Sequence, residues 1–199
     1  MALNVGILLF EDAEALDFAG PYEVFTTASR VARRRGADED RFTVFSVAQH
    51  AEPVRVRAGL QIVPDHIFFQ HPAIDVLIIP GGVVDAEMEN SKLLEWIQTS
   101  AAPAKITASV CTGAFLLAAA GVLTSGPATT HWEDIADLRE QFPALQVQEG
   151  ERWVDQGRLV TSAGISAGID MSLHLVARLA GQELAVATAR QMEFDWAPR

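Results

Sequence analysis

The sequence predicts an α/β fold of the flavodoxin-like kind, a mainly parallel sheet sandwiched by helices, with a cysteine at a strand-to-helix turn. Three observations carry the prediction. Short, continuous apolar runs such as residues 5–10 read as strands whose two faces are both covered. Between them lie longer segments with apolar residues at helical spacing. Several of the strongest turn signals, Pro80-Gly81-Gly82 and Cys111-Thr112-Gly113 among them, directly follow predicted strands. Strand and helix alternation of this order implies one domain over residues 1–199. Such sheets bind their ligands beyond the carboxyl ends of the strands.

In chain order, residues 5–10 form the buried first strand. A turn follows, and Pro21 is placed at the first helical position, where its missing N–H does no harm. Val24, Phe25, Ala28, Val31 and Ala32 give that helix one apolar stripe. Arg33-Arg34-Arg35 and then Gly36 end it, with cations on the negative pole and a left-handed cap. Residues 42–47 alternate as a strand, and residues 54–57 and 60–63 form a small hairpin around Ala58-Gly59. Residues 74–79 are a buried strand that stops at Pro80. Residues 90–102 are a helix with Ser91 near its start and Leu93, Leu94 and Ile97 facing inward. The strand ending at Cys111 leads into a helix that closes at Gly121. A short strand at 128–130, a helix over 133–141 and a strand over 145–148 come next. Residues 153–155 pair with 158–161 around Gln156-Gly157, and helices over 165–180 and 182–192 finish the chain. No linker, repeat or low-complexity segment interrupts the order.

Composition excludes several classes of function. A formal net charge of −11 and a pI near 4.8 argue against nucleic acid or an anionic membrane surface as a partner. The first ten residues lack a basic start and a small-residue cleavage site, so no signal peptide is expected. No apolar run approaches the ~18 residues of a membrane span. The single cysteine cannot form an internal disulfide, which points to a reducing cytoplasm.

Cys111 is the centre of the functional reading. A residue at a strand-to-helix turn is held in a tight conformation with its side chain above the sheet edge. The first amides of the following helix favour thiolate over thiol, so a lowered pKa is expected. Asp17, in the turn after the first strand, is either an N-cap of the Pro21 helix or a proton carrier, and the two roles are compatible. Gly81 and Gly82 offer backbone amides for developing negative charge. His131 is either a third catalytic group or a histidine lining the pocket. Asp170 lies on a helix near that pocket or caps a neighbouring loop. His50, His66 and His71 share no ligand spacing with one another or with Cys111, so no metal is assigned.

Taken together, Asp17-Phe18-Ala19-Gly20-Pro21, Ile78-Ile79-Pro80-Gly81-Gly82, Ser109-Val110-Cys111-Thr112-Gly113-Ala114, Ala128-Thr129-Thr130-His131-Trp132 and residues 161–170 resemble the ThiJ/PfpI superfamily. Its core is like that of the class I glutamine amidotransferases. Protease-like members place histidine right after the nucleophile, where this chain has Thr112. Chaperone, deglycase and glyoxalase-like members carry glutamate in the first strand-to-helix turn, where this chain has Asp17. The pattern is similar to that of isonitrile hydratases, and equally to the sensor domains of AraC-type regulators, which continue into a basic helix-turn-helix domain. Because this chain stops at Arg199, the hydratase reading is placed ahead.

The resemblance implies addition of water to an isonitrile to give an N-substituted formamide. Cys111 would form a thioimidate, Asp17 would serve as acid and base, and Thr112, with the Gly81 or Gly82 amides, would polarise the intermediate. The Thr112 hydroxyl would also reach the substrate nitrogen. It implies a small-molecule substrate, no cofactor and a homodimer. The alternatives are glyoxalase or deglycase chemistry on small dicarbonyls, and a sensor in which Cys111 oxidises without turnover.

Overall fold

The computed structural model describes residues 2–197. Strand β1 (Leu3–Leu8) leads into the long helix α1 (Ala15–Arg34), followed by β2 (Phe42–Ala48). A small antiparallel ribbon, β3 (Val54–Arg55) and β4 (Gln61–Ile62), precedes β5 (His66–Ile67) and β6 (Val76–Ile79). Helices α2 (Asp85–Met88) and α3 (Ser91–Ala101) then lead to β7 (Ile106–Val110) and α4 (Gly113–Ala119). Next come β8 (Gly126–Ala128), α5 (Ile135–Gln141) and β9 (Leu145–Val147), with β8 and β9 paired in parallel. The hairpin β10 (Trp153–Asp155) and β11 (Leu159–Ser162) precedes α6 (Ala167–Ala180) and α7 (Gln182–Gln191).

The central sheet has seven strands in the order β10-β11-β7-β6-β1-β2-β5, all parallel to their neighbours except β10. This is the mainly parallel α/β architecture expected from the apolar runs. Every residue of β6 and β7 is buried, which requires cover on both faces. Helices α1, α6 and α7 pack together as one group, and α2, α3 and α4 as another. The first group closes tightly at Gly20, where an added Cβ would stand 2.9 Å from Ile169. Among the described residues, no helix is long and apolar enough to cross a membrane.

Several local expectations need correction. Helix α1 begins six residues before Pro21, at Ala15, so Pro21 lies inside it. The ring removes one N–H and leaves the Asp17 carbonyl without its usual donor four residues on. Asp17 therefore sits in the first turn and caps nothing; Glu14 occupies the N-cap position, without a side-chain cap. In α3 the cap is Asn90, whose Oδ1 accepts the Leu93 N–H at 3.3 Å, and Trp96 joins Leu93 and Ile97 on the buried face, with Leu94 partly buried against the core. The strand expected at 128–130 lies two residues earlier, because Thr129 and Thr130 spend their hydrogen bonds on side-chain contacts. The edge strand β5 and the one-turn helix α2 escaped the sequence pattern because each is too short to show a period. The other end of α1 is as expected. Gly36 takes φ +95°, and the Ala37 N–H returns to the Ala32 carbonyl at 3.1 Å.

Candidate active site

Four adjacent strands, β11, β7, β6 and β1, deliver their C-terminal turns to one edge of the sheet. Cys111 follows β7 directly and adopts φ +56°, the left-handed region that L residues other than glycine rarely enter. Its neighbours hold it there. The Cys111 N–H reaches the carbonyls of Ser162 and Ala163 at 3.2 and 3.3 Å, and its own carbonyl accepts the Thr130 hydroxyl at 2.9 Å. Thr129 anchors the same segment through the Thr161 hydroxyl and the Gln148 carbonyl.

The turn after β6 packs directly on this nucleophile turn. A Cβ at Gly81 would stand 2.6 Å from both the N and Oγ1 of Thr112, so no side chain fits there. Gly82, at φ +144°, meets the backbone of Asp12, Ala13 and Glu14 just as closely. The Thr112 hydroxyl accepts the Gly82 N–H and donates to the Gly82 carbonyl, both at 2.9 Å. The Gly81 N–H donates to Asp17 Oδ2 at 3.1 Å. Both glycine amides and the Thr112 hydroxyl are therefore engaged within the protein. The expectation that Gly81, Gly82 and the Thr112 hydroxyl face substrate meets a different geometry: they lock two loops together. The Thr112 N–H is the amide that faces the Cys111 sulfur.

Asp17 is fully buried. The Cys111 thiol and the Ile165 N–H both approach its carboxyl group closely enough to favour the ionised form. Even so, Oδ1 has no partner of full hydrogen-bond geometry, so the thiol contact is a loose one in this state. Burial, helped by the Glu14 charge, outweighs the Gly81 N–H and pushes Asp17 from 3.8 up to about 7. Burial also pushes the Cys111 thiol up to about 12, and the Asp17 and Asp134 charges add to that effect. The lowered pKa expected from the helix terminus is thus reversed. Helix α4 has only two turns, and the Thr112 N–H alone does not offset desolvation next to a carboxylate.

Cys111 and Thr112 lie in the wall of a cavity of about 320 Å³. His131 lines the same cavity; its Nδ1 stands 3.3 Å from Asp134 Oδ2 and 3.7 Å from Glu133 Oε2. Asp170 does not line it: its carboxylate pairs with Arg152 Nε at 2.6 Å. Sequence reasoning missed three contributors. Glu14 lines the cavity and pairs with Arg57 at 3.2 Å. Thr130 holds the cysteine carbonyl, although its place in Thr129-Thr130-His131 was a usable signal. Ile165 is a β-branched residue at φ +53°, a strained conformation that turns its N–H toward Asp17, and no local sequence pattern announces it. Among the described residues, no three metal-ligating side chains converge.

This arrangement can generate a sulfur nucleophile by proton transfer to a carboxylate poised near neutrality, beside a small cavity. The chain is 38% identical over 199 residues to an isonitrile hydratase of Pseudomonas putida, covering 100% of this chain and 81% of that protein. It is 29% identical over 192 residues to the HTH-type transcriptional regulator GbdR of Pseudomonas aeruginosa, of which it spans about half the length. Among solved structures, a ThiJ/PfpI family protein from Pseudomonas syringae superposes with a TM-score of 0.84 at 30% identity, covering 100% of this chain and 77% of the other. The pattern of the DJ-1/PfpI family matches residues 4–178, and with the cysteine turn at the edge of the parallel sheet the conclusion is plain: the chain belongs to the DJ-1/PfpI family.

Proposed function

We propose that this protein is an isonitrile hydratase, converting an isonitrile and water into an N-substituted formamide. The observation that carries the reading is the buried contact of the Asp17 carboxyl with the Cys111 thiol, in a chain 38% identical throughout to a protein of that name. In the resting site the thiol holds its proton and Asp17, at about 7, is divided between its two forms near neutral pH. Asp17 carboxylate takes the thiol proton as sulfur adds to the terminal isonitrile carbon, then returns it to that carbon, leaving a neutral thioimidate on Cys111. The regenerated carboxylate removes a proton from water as its oxygen adds to the same carbon, and the substrate nitrogen receives that proton. The hydroxyl proton of the adduct passes to sulfur as the carbon–sulfur bond breaks, which releases the formamide and restores the thiol. The Thr112 N–H, facing sulfur, stabilises the charge that develops there. Thr112 and the Gly81-Gly82 turn act by position, and His131 forms part of the substrate wall.

The test is turnover of a simple alkyl isonitrile beside methylglyoxal, with rapid quenching and mass analysis. A transient adduct of one whole substrate mass on the Cys111 peptide, absent from Cys111→Ala, is expected. Consumption of methylglyoxal alone would transfer the assignment to dicarbonyl chemistry. Full-rate hydration by Cys111→Ala would end the covalent mechanism.

A further inference from the structure

The run from Thr161 to Asp170 touches the catalytic pair at three places. The carbonyls of Ser162 and Ala163 accept the Cys111 N–H at 3.2 and 3.3 Å. The Ile165 N–H approaches the Asp17 carboxyl group. Gly168 lets the first turn of α6 close on Val110, the residue before the nucleophile; an added Cβ would stand 2.8 Å from Val110 Cγ1. Cys111 at φ +56° and Ile165 at φ +53° both hold left-handed conformations. Such conformations persist in residues other than glycine only where the surroundings over-determine them. One residue, Arg152, restrains both ends of the connection between β11 and α6, residues 163–166. Its carbonyl accepts the Ala163 N–H at 2.9 Å, one step beyond the last β10–β11 pair, Trp153 with Ser162. Its Nε donates to Oδ2 of Asp170, in the first turn of α6, at 2.6 Å. Asp170 is buried, and Arg152 is its one cationic partner among the described residues. The connection is thus held by a backbone bond at its entrance and by a charged one at its exit.

We propose that Arg152 and Asp170 are positioning residues of the catalytic pair: their contact fixes the 163–166 connection, and through it the Cys111 backbone and the N–H offered to Asp17. Neither residue lines the Cys111 cavity, so both act through the connection and not on substrate. The inference rests on the Asp17–Cys111 reading of the site and adds what keeps that pair in register. Two consequences follow from breaking the contact. A reacting group displaced by about 1 Å loses as much as ~10²-fold in rate. A weaker Ile165 contact leaves the buried Asp17 carboxylate less stabilised, so Asp17 keeps its proton to higher pH. Glu14, Cys111 and the Gly81 N–H also face Asp17, and all three lie outside the altered residues.

The experiment compares Arg152→Ala and Arg152→Gln with the wild-type protein. Alanine removes the donor, whereas the glutamine amide nitrogen stands as far along the side chain as the arginine Nε and can bond to Asp170. Isonitrile turnover is measured as kcat and KM. The titration of Asp17 is followed by the carbon-13 resonance of its carboxyl in aspartate-labelled protein, identified by its absence from Asp17→Asn. In Arg152→Ala, kcat should fall ~10- to 100-fold with KM little changed, and the Asp17 midpoint should rise by ~0.5–1 pH unit. Arg152→Gln should recover most of both. Asp170→Asn, which weakens the pair without removing it, should show both changes in smaller measure, and it decides the matter if the alanine variant does not fold. Alanine and glutamine variants that behave alike would overturn the inference. So would a fall in stability with kcat and the Asp17 midpoint unchanged. Because the carbon-13 titration requires no turnover, failure of the isonitrile assignment leaves this test intact, and an unmoved midpoint leaves isonitrile turnover by the wild type intact.

Discussion

Asp17 and Cys111 are both raised by burial, and the carboxylate raises the thiol further. Between roughly pH 7 and 12 the pair is therefore a carboxylate beside a protonated thiol, and catalysis must move that proton within the chemical step. Asp17→Asn keeps the shape of the side chain and cannot move it, so kcat/KM should fall ~10²–10⁴-fold. Wild-type activity should rise with pH through about 7 as Asp17 ionises. Folding responds in the opposite sense. Asp17 holds its proton more tightly in the folded chain than at its ordinary value of 3.8, so the native state carries the extra proton between those two values. Its contribution to stability is fully present below the lower value. It is lost at about 1.4 kcal/mol per pH unit as pH rises to the upper one. Thermal melts across that window should show wild type losing stability relative to Asp17→Asn; parallel curves would show that the buried carboxyl is not titrating there. Alkylation of Cys111 should inflect above the ordinary thiol value of ~8.5 and shift downward in Asp17→Asn.

At the scale of elements, the site is two turns locked together, and Thr112 is the bolt. Its hydroxyl makes both hydrogen bonds to Gly82, and Gly81 lets the backbone of the β6 turn approach Thr112. Thr112→Val keeps the volume and takes the hydroxyl partner from the part-buried Gly82 N–H and carbonyl. A loss of ~1–3 kcal/mol is expected, with lower kcat because the Cys111 turn loses its support. Thr112→Ser retains the hydroxyl and should recover most of both. If valine and serine behave alike in chemical denaturation and in kcat, the two bonds carry no weight. Helix α1 shows another element-scale adjustment: Pro21 sits inside it, and the helix starts early enough to place Asp17 in its first turn beside the Gly81 N–H.

Across the whole molecule, the site depends on the central sheet rather than on one loop. Cys111, Thr112, Gly81, Gly82, Asp17 and Ile165 come from segments after β7, β6, β1 and β11, strands that lie side by side, while Thr130 and His131 follow β8; the Cys111 backbone is tied to residues 130, 162 and 163. Activity and far-ultraviolet circular dichroism should therefore be lost at the same urea concentration, as in a cooperative transition. Loss of activity at clearly lower urea, with the dichroism unchanged, would show that the turns open locally while the sheet survives. At this edge the cavity wall carries Glu14, Asp85, Glu133, Asp134 and Asp137 beside Arg57.

The sequence by itself determined the parallel core, the cysteine turn and the family. Those depend on local signals: apolar runs at residues 5–10 and 74–79, Pro80-Gly81-Gly82 stopping a strand, and Gly36 stopping a helix. It also named Asp17, since a carboxyl among Leu16, Phe18 and Ala19 is locally unusual. Local signals could not show that Pro21 would be carried inside a helix, because packing of α1 against α6 and α7 overrides the propensity of one residue. Only the tertiary structure decided that the Gly81 and Gly82 amides are already occupied. It likewise decided that Cys111 is a raised rather than a lowered thiol, and that carboxylates from distant segments share one cavity wall. Each of these turns on burial and on the distance between charges far apart in the chain, and neither quantity exists until the strands are side by side.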